Sequence, residues 1–257
     1  MDYSENFLPA IVLTAAAGLA TTLGSLLGLA VKKPGASFMG FTLGFSAGVM
    51  ILVSFIELLP DSIERLGFPA ATAAFLIGMA GFLLIDFFVP HDYIGQHDHP
   101  DASTGRMSEL ERTGMLVALG MALHNLPEGM VTFAGALEDI RLGAAIAVAV
   151  AIHNIPEGIA VSAPVYAATG NRRKAFLWSF LSGASEPAGA ALAGLILMPF
   201  LSPVVLGWTL AIVAGIMVAI SLDELVPIAK SYDVEHVPIV GIIMGMAVMA
   251  LSLHLLK

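Results

Sequence analysis

His124-Asn125-Leu126-Pro127-Glu128-Gly129 and His153-Asn154-Ile155-Pro156-Glu157-Gly158 are one six-residue pattern written twice, 29 residues apart, and each copy lies inside a long apolar run. The surrounding chain has 257 residues, of which 58% are hydrophobic and 12% charged. A soluble domain usually has about a quarter of its residues charged. Polar side chains are too few here to cover a globule, so lipid is the expected solvent for much of the chain. The formal charge of −9 does not mark an acidic soluble protein, because much of it comes from carboxylates inside apolar segments. There is no cysteine, which excludes disulfides, thiolate metal ligands and a cysteine nucleophile.

A membrane-spanning helix needs about 20 predominantly apolar residues. Eight such stretches are expected, at residues 7–31, 36–60, 67–90, 113–137, 142–168, 174–198, 202–227 and 237–256. The first follows Asp2 and Glu5, not a basic stretch, and is expected to be a retained span and not a cleaved signal. Lys32-Lys33-Pro34-Gly35, Pro60-Asp61, Glu138-Asp139, Gly170 to Lys174 and Pro199 to Pro203 punctuate the joints. Ser108-x-x-Glu111 fits a capping box before the fourth span. Residues 91–112, with His91, His97 and His99, form the one long polar loop, within a single transmembrane domain spanning 1–257. Basic residues favour the cytoplasmic side. Eight of the eleven fall there if both termini lie outside, which also makes the His-containing loop cytoplasmic. That loop is expected to be a solvated linker, with weak metal collection as the alternative.

A second repeat relates span two to span seven. Gly48, Met50, Ser54, Glu57, Leu58 and Pro60 recur as Gly215, Met217, Ser221, Glu224, Leu225 and Pro227, at a constant offset of 167. Spans four and five run in opposite directions, as do spans two and seven. Matching motifs on opposed helices predict an all-α membrane fold in which spans 1–3 and 6–8 form an inverted repeat around central spans 4 and 5. Such repeats belong to transporters, whose sites lie near the bilayer midplane on Gly- or Pro-interrupted helices. Chance recurrence in Gly-rich apolar sequence is the alternative for this second repeat.

On a helix, residues four apart share a face, so His124 lies over Glu128 and His153 over Glu157, with Asn125 and Asn154 on the flank. Pro127 and Pro156 remove hydrogen bonds to the Leu123 and Ile152 carbonyls, and Gly129 and Gly158 permit close helix approach. Glu186, also followed by a proline, is a candidate further ligand. An ionised carboxylate at the bilayer centre costs about 3 kcal/mol or more unless compensated. No Lys or Arg occurs in residues 113–137, 142–168 or 175–198. A divalent cation is the natural compensation, and protonation is the other. Imidazole, amide and carboxylate ligands suit Zn(II), Fe(II), Mn(II), Co(II) and Cd(II) with weak discrimination. Met50 could add a thioether or simply pack. Glu57 and Glu224 with Asp223 sit near span ends, where they serve either as mouths of a pathway or as solvated termini. Helix-stitching polar residues are the alternative for the hexapeptides.

With these residues in view, the chain resembles the ZIP family of metal transporters, and within it the bacterial ZupT-type members. His124-Asn125-x-Pro127-Glu128-Gly129, His153-Asn154-x-Pro156-Glu157-Gly158, Ser185-Glu186, Glu57 to Pro60 and Asp223 to Pro227 carry the resemblance. It implies a multi-pass protein of the cell inner membrane, with periplasmic termini, taking zinc and also iron, manganese, cobalt or cadmium into the cytoplasm. It further implies a binuclear centre. One ion would be held by His124, Glu128, His153 and Glu157 with Met50, the other by Asn125, Glu128, Asn154, Glu157 and Glu186. Where the family can have an aspartate, this chain has Asn154. The resemblance also implies a homodimer. The partners expected are divalent metal ions and the bilayer, with no nucleic acid and no catalytic cofactor.

No phosphate-cradling loop appears, so a secondary carrier is expected. An intramembrane hydrolase would need Glu directly after the first His and a second His at i+4, but this chain has Asn and Glu there. A metal-sensing receptor and a channel remain rivals that flux and its saturability separate.

Overall fold

The computed structural model describes residues 4–30, 35–87, 109–197, 200 and 202–256. Among these there is no strand. The long helices are α1 (Ser4–Ala30), α2 (Ala36–Leu66), α3 (Phe68–Phe87), α4 (Glu109–Glu138), α5 (Ile140–Thr169), α6 (Arg172–Leu192), α7 (Pro203–Ser231) and α8 (Val237–Leu256). Five of them are long and apolar enough to cross a membrane: α1, α2, α5, α7 and α8. A shorter apolar helix covers Phe68–Leu84. The protein is all-helical, and large apolar side chains such as Leu8, Leu19 and Leu23 on α1, Leu84 on α3 and Leu251 on α8 face outward. That is the surface a bilayer covers and water does not.

Several helix boundaries follow the sequence punctuation, though the end of α2 does not. Gly67 ends α2 at φ +79° and Gly170 ends α5 at φ +61°, a region that glycine enters without steric cost. Asp139, Asn171 and Ser202 each cap the following helix by accepting a backbone N–H, from Arg141, from Arg173 and Lys174, and from Val205 respectively. α4 already contains residues 109–112, so the polar connection is shorter than 91–112. The remainder of that loop, with its histidines and Ser108, lies outside the described residues.

Two span ends need correction. Pro60 and Pro227 do not close their helices, which run on to Leu66 and Ser231. Each follows a five-residue π turn, Ser54–Leu58 and Ser221–Leu225, closed by the N–H of Leu59 on the Ser54 carbonyl and of Val226 on Ser221. The widened turn absorbs a proline that would otherwise clash one turn back. Glu57 and Glu224 therefore sit within continuous helices, not at their ends.

The closest packing divides the helices into two groups. α1, α4, α5 and α6 pack on one another, as do α2, α3, α7 and α8, while α2 against α5 is the main contact between groups. Each expected repeat unit is thus split between both bundles. Glycines set the spacing. A Cβ on Gly48 would strike the Ile242 carbonyl of α8, and one on Gly215 would strike the Phe75 carbonyl of α3. Both residues of each pair are related by the same offset of 167. At one end of the molecule Arg65 joins the bundles, bonding Asp61 at 2.7 Å and Glu138 of α4 at 2.6 Å.

Gly→Ala ordinarily favours a helix by about 1 kcal/mol, but overpacking against a backbone costs about 1–3 kcal/mol. Gly48→Ala and Gly215→Ala should therefore each lower the unfolding midpoint in detergent by several degrees. Gly81→Ala should not, since nothing lies within 4 Å of its added Cβ. Thermal unfolding of the three purified variants checks this.

Candidate metal centre

The two hexapeptides lie on adjacent helices, α4 and α5, and the structure joins them crosswise. His153 Nε2 of α5 lies 3.1 and 3.2 Å from the two carboxylate oxygens of Glu128 on α4. His153 and Glu157 are fully buried, and Glu128 is 1% exposed. Two ligands of one tetrahedral zinc, each about 2.0–2.1 Å from it, stand about 3.3 Å apart. The imidazole and carboxylate are thus spaced as two such ligands would be.

Asn154 Nδ2 donates to the Ala17 carbonyl of α1 at 2.9 Å and also to Glu186 Oε1 of α6. Asn125 Nδ2 donates to the Ser182 carbonyl of α6 at 3.2 Å. Both amides are fixed by their N–H groups. Their oxygens, Asn125 Oδ1 and Asn154 Oδ1, are buried without a hydrogen-bond partner among the described residues. A buried polar atom left unpaired is costly. Two amide oxygens beside three buried carboxylates make an acceptor-rich set that a cation would satisfy.

From the other bundle, Ser46 of α2 donates its hydroxyl to Glu157 Oε1 at 3.3 Å. Met50, one turn further along α2, is fully buried in the main apolar cluster. The side chain of His124 lies outside the described residues. The described side chains do not by themselves gather three His, Asp or Glu groups into a ready metal cluster. What the structure brings together is His153 with Glu128, Asn154 with Glu186, and Glu157 with Ser46.

Backbone approach makes these pairs reachable. A Cβ on Gly129 would strike the Glu186 carbonyl, and one on Gly158 the Thr21 carbonyl. The hexapeptide glycines therefore bring α4 onto α6 and α5 onto α1. Sequence reasoning missed Ser46, Ala17 and Ser182. Ser46 had a signal, because it lies four residues before Met50 and so shares its face. The two backbone carbonyls had none.

A polytopic helical membrane protein with a buried imidazole, amide and carboxylate set on its central helices is the class defined so far. The chain matches the Zip family model, described as ZIP Zinc transporter, over residues 90–253. It is 51% identical to the zinc transporter ZupT of Chlorobium phaeovibrioides, covering 98% of this chain and 99% of that one. It is 48% identical to ZupT of Corynebacterium efficiens, over 99% of each chain. Identity to ZupT of an Enterobacter species is 44%, over 96% of each. The chain belongs to the ZIP family.

Asn154→Asp would set a second carboxylate against Glu186 in a buried position. Like charges so placed repel strongly, and the variant should melt several degrees below wild type in chelator, at a cost of about 1–3 kcal/mol. Thermal unfolding with EDTA present is the measurement.

Proposed function

We propose that this protein is a secondary transporter, not an enzyme, that takes Zn(II) into the cytoplasm through a binuclear intramembrane centre. One observation carries the reading: Glu128, Glu157 and Glu186 are buried beside two amide oxygens that have no hydrogen-bond partner among the described residues, in helices whose apolar stretches contain no Lys or Arg. The relatives, named as zinc transporters, favour zinc as the substrate. The oxygen and nitrogen donors also suit Fe(II), Mn(II), Co(II) and Cd(II), which are expected as weaker substrates.

In this reading His124, Glu128, His153 and Glu157 hold one ion, with Met50 near it. Asn125, Glu128, Asn154, Glu157 and Glu186 hold the second, and the two shared glutamates bridge. The Asn154 contact to Glu186 would open so that both oxygens turn to the ion. An inward-negative potential contributes about 2.3 kcal/mol per charge per 100 mV, so about twice that for a divalent ion. No nucleotide need be hydrolysed.

Spans 1–3 and 6–8 are proposed to be an inverted repeat around spans 4 and 5. The paired π turns and the reciprocal Gly48 and Gly215 contacts support this. Access would not alternate by tilting one repeat unit on the other, because each unit contributes to both bundles. The His, Asn and Glu candidates lie on α4, α5 and α6 and only Met50 on α2, so the α1–α4–α5–α6 bundle would move with its ion against the α2–α3–α7–α8 bundle. The whole chain acts as one transporter domain. Its setting is the cell inner membrane, with both termini outside, the His-containing loop cytoplasmic and a homodimeric assembly.

Zinc flux into proteoliposomes tests the proposal. Glu128→Ala and Glu157→Ala should each cut flux at least about ten-fold, the loss expected when a directly bonded ligand goes. Wild-type flux retained in both variants would remove the site.

A further inference from the structure

We propose that Ser46 is a positioning residue that sets Glu157 for metal loading, and does so only while the two bundles stand as they do here. The inference rests on the transport reading above. Its starting point is an exception. Of the buried hydroxyls described on the α2–α3–α7–α8 bundle, Ser62 bonds the Gly207 carbonyl of α7 within that bundle, and all the others but Ser46 turn back onto their own backbone: Thr42 onto Phe38, Ser54 onto Met50 and Ser221 onto Met217, at 2.7 Å in each case. That is the usual outlet for Ser and Thr within a helix, where a carbonyl four residues back is in reach. Ser46, fully buried, does otherwise. Its hydroxyl reaches across to the Glu157 carboxylate of α5, 3.3 Å away.

Ser46 and Glu157 belong to different bundles, and α2 against α5 is the main contact between them. The bond therefore crosses the surface along which the bundles would slip. His153–Glu128 and Asn154–Glu186 lie within the α1–α4–α5–α6 bundle and would travel with it. Ser46 would stay behind. A carboxylate on a flexible side chain binds an ion more tightly when another group has already fixed its rotamer. Glu157 is pre-ordered in this way when α5 faces Ser46 and loses that aid when the bundle moves. The hydroxyl thus ties high-affinity loading to one arrangement of the bundles, without being required for the ion to cross.

The kinetic signature follows. The bond is charge-assisted but long for O–H···O, so its loss should weaken loading about five-fold. Ser46→Ala should raise KM for Zn(II) flux in proteoliposomes by that factor and leave Vmax within about two-fold. Ser46→Thr, which keeps a hydroxyl, should restore KM. Thr42→Ala, one turn earlier with a hydroxyl bonded to its own helix, should match wild type. Zn(II) affinity of the purified protein in detergent should fall by the same factor in Ser46→Ala, and that measurement decides if the variant reconstitutes poorly. An unchanged KM and affinity would overturn the proposal. So would a fall in Vmax at constant KM, the mark of a helix-stitching bond, or a threonine variant that behaves like alanine. Absence of zinc flux in the wild type would count against the transport reading instead.

Discussion

The structure depends on one electrostatic constraint: three glutamates, Glu128, Glu157 and Glu186, are buried among helices whose apolar stretches contain no fixed positive charge. Each costs several kcal/mol to bury as an anion in hydrocarbon. Lipid-facing positions are closed to them, so α4, α5 and α6 must turn these faces toward one another. The polar groups found at the centre follow from that requirement. His153 meets Glu128, Ser46 meets Glu157, and Asn154 meets Glu186. These neutral partners soften the burial but add no positive charge unless the imidazole is protonated. In the proposed reading a mobile divalent ion would supply the charge without fixing it in place, which suits a site that must empty as well as fill. A Lys or Arg in the same position would compensate the carboxylates permanently and leave nothing for an ion to do.

Close approach of backbones makes the constraint satisfiable. Gly129 and Gly158 stand where a methyl group would strike the carbonyls of Glu186 and Thr21. At that spacing the amide of Asn125 can reach a backbone carbonyl on α6, and that of Asn154 one on α1. Each amide then donates to neighbouring helices, and its oxygen has no hydrogen-bond partner among the described residues. Had the glycines been alanines, the helices would stand further apart and the same amides would need each other's oxygens. The small residues thus do more than fill space, because they decide which atoms of the polar side chains are left over.

Much of this was legible in the sequence, and the reason differs from part to part. Helix boundaries fell near Gly170, Asp139, Asn171 and Ser202 as expected because capping and left-handed turns are local chemistry. The hexapeptides and Glu186 stood out because a polar residue in an apolar run has no cheap explanation. Pro60 and Pro227 misled, since proline reads as a stop and the compensating π turn has no sequence mark of its own. The grouping into two bundles was not legible either. Helices such as α3 and α8 are apolar on nearly every side, and an all-round apolar helix does not say which neighbour it will choose. The carbonyls of Ala17 and Ser182 belong to the same blind spot, because any residue type carries one.

That choice of neighbour bears on how the molecule can move. Gly24 of α1 abuts the Ile155 carbonyl of α5, and Gly189 of α6 abuts the Leu126 carbonyl of α4. Ile155 and Leu126 hold the same place in the two hexapeptides. Gly18 and Gly183 approach each other's carbonyls, so α1 and α6 also meet directly. These contacts lock α1, α4, α5 and α6 into one body through backbone-to-backbone surfaces that a Cβ would break. Gly44 and Gly48 lock α2 onto α8 in the same manner, and Gly215 locks α7 onto α3. Tight packing of this kind does not shear gradually, because interlocked surfaces are held in discrete arrangements. The proposed motion would then fall at the boundary between the bundles, where Ser46 meets Glu157 and Arg65 meets Glu138 through side chains and not backbones. The proposed site sits beside that boundary, so an ion held on α4 and α5 would be carried past α2 while its own bundle stays intact.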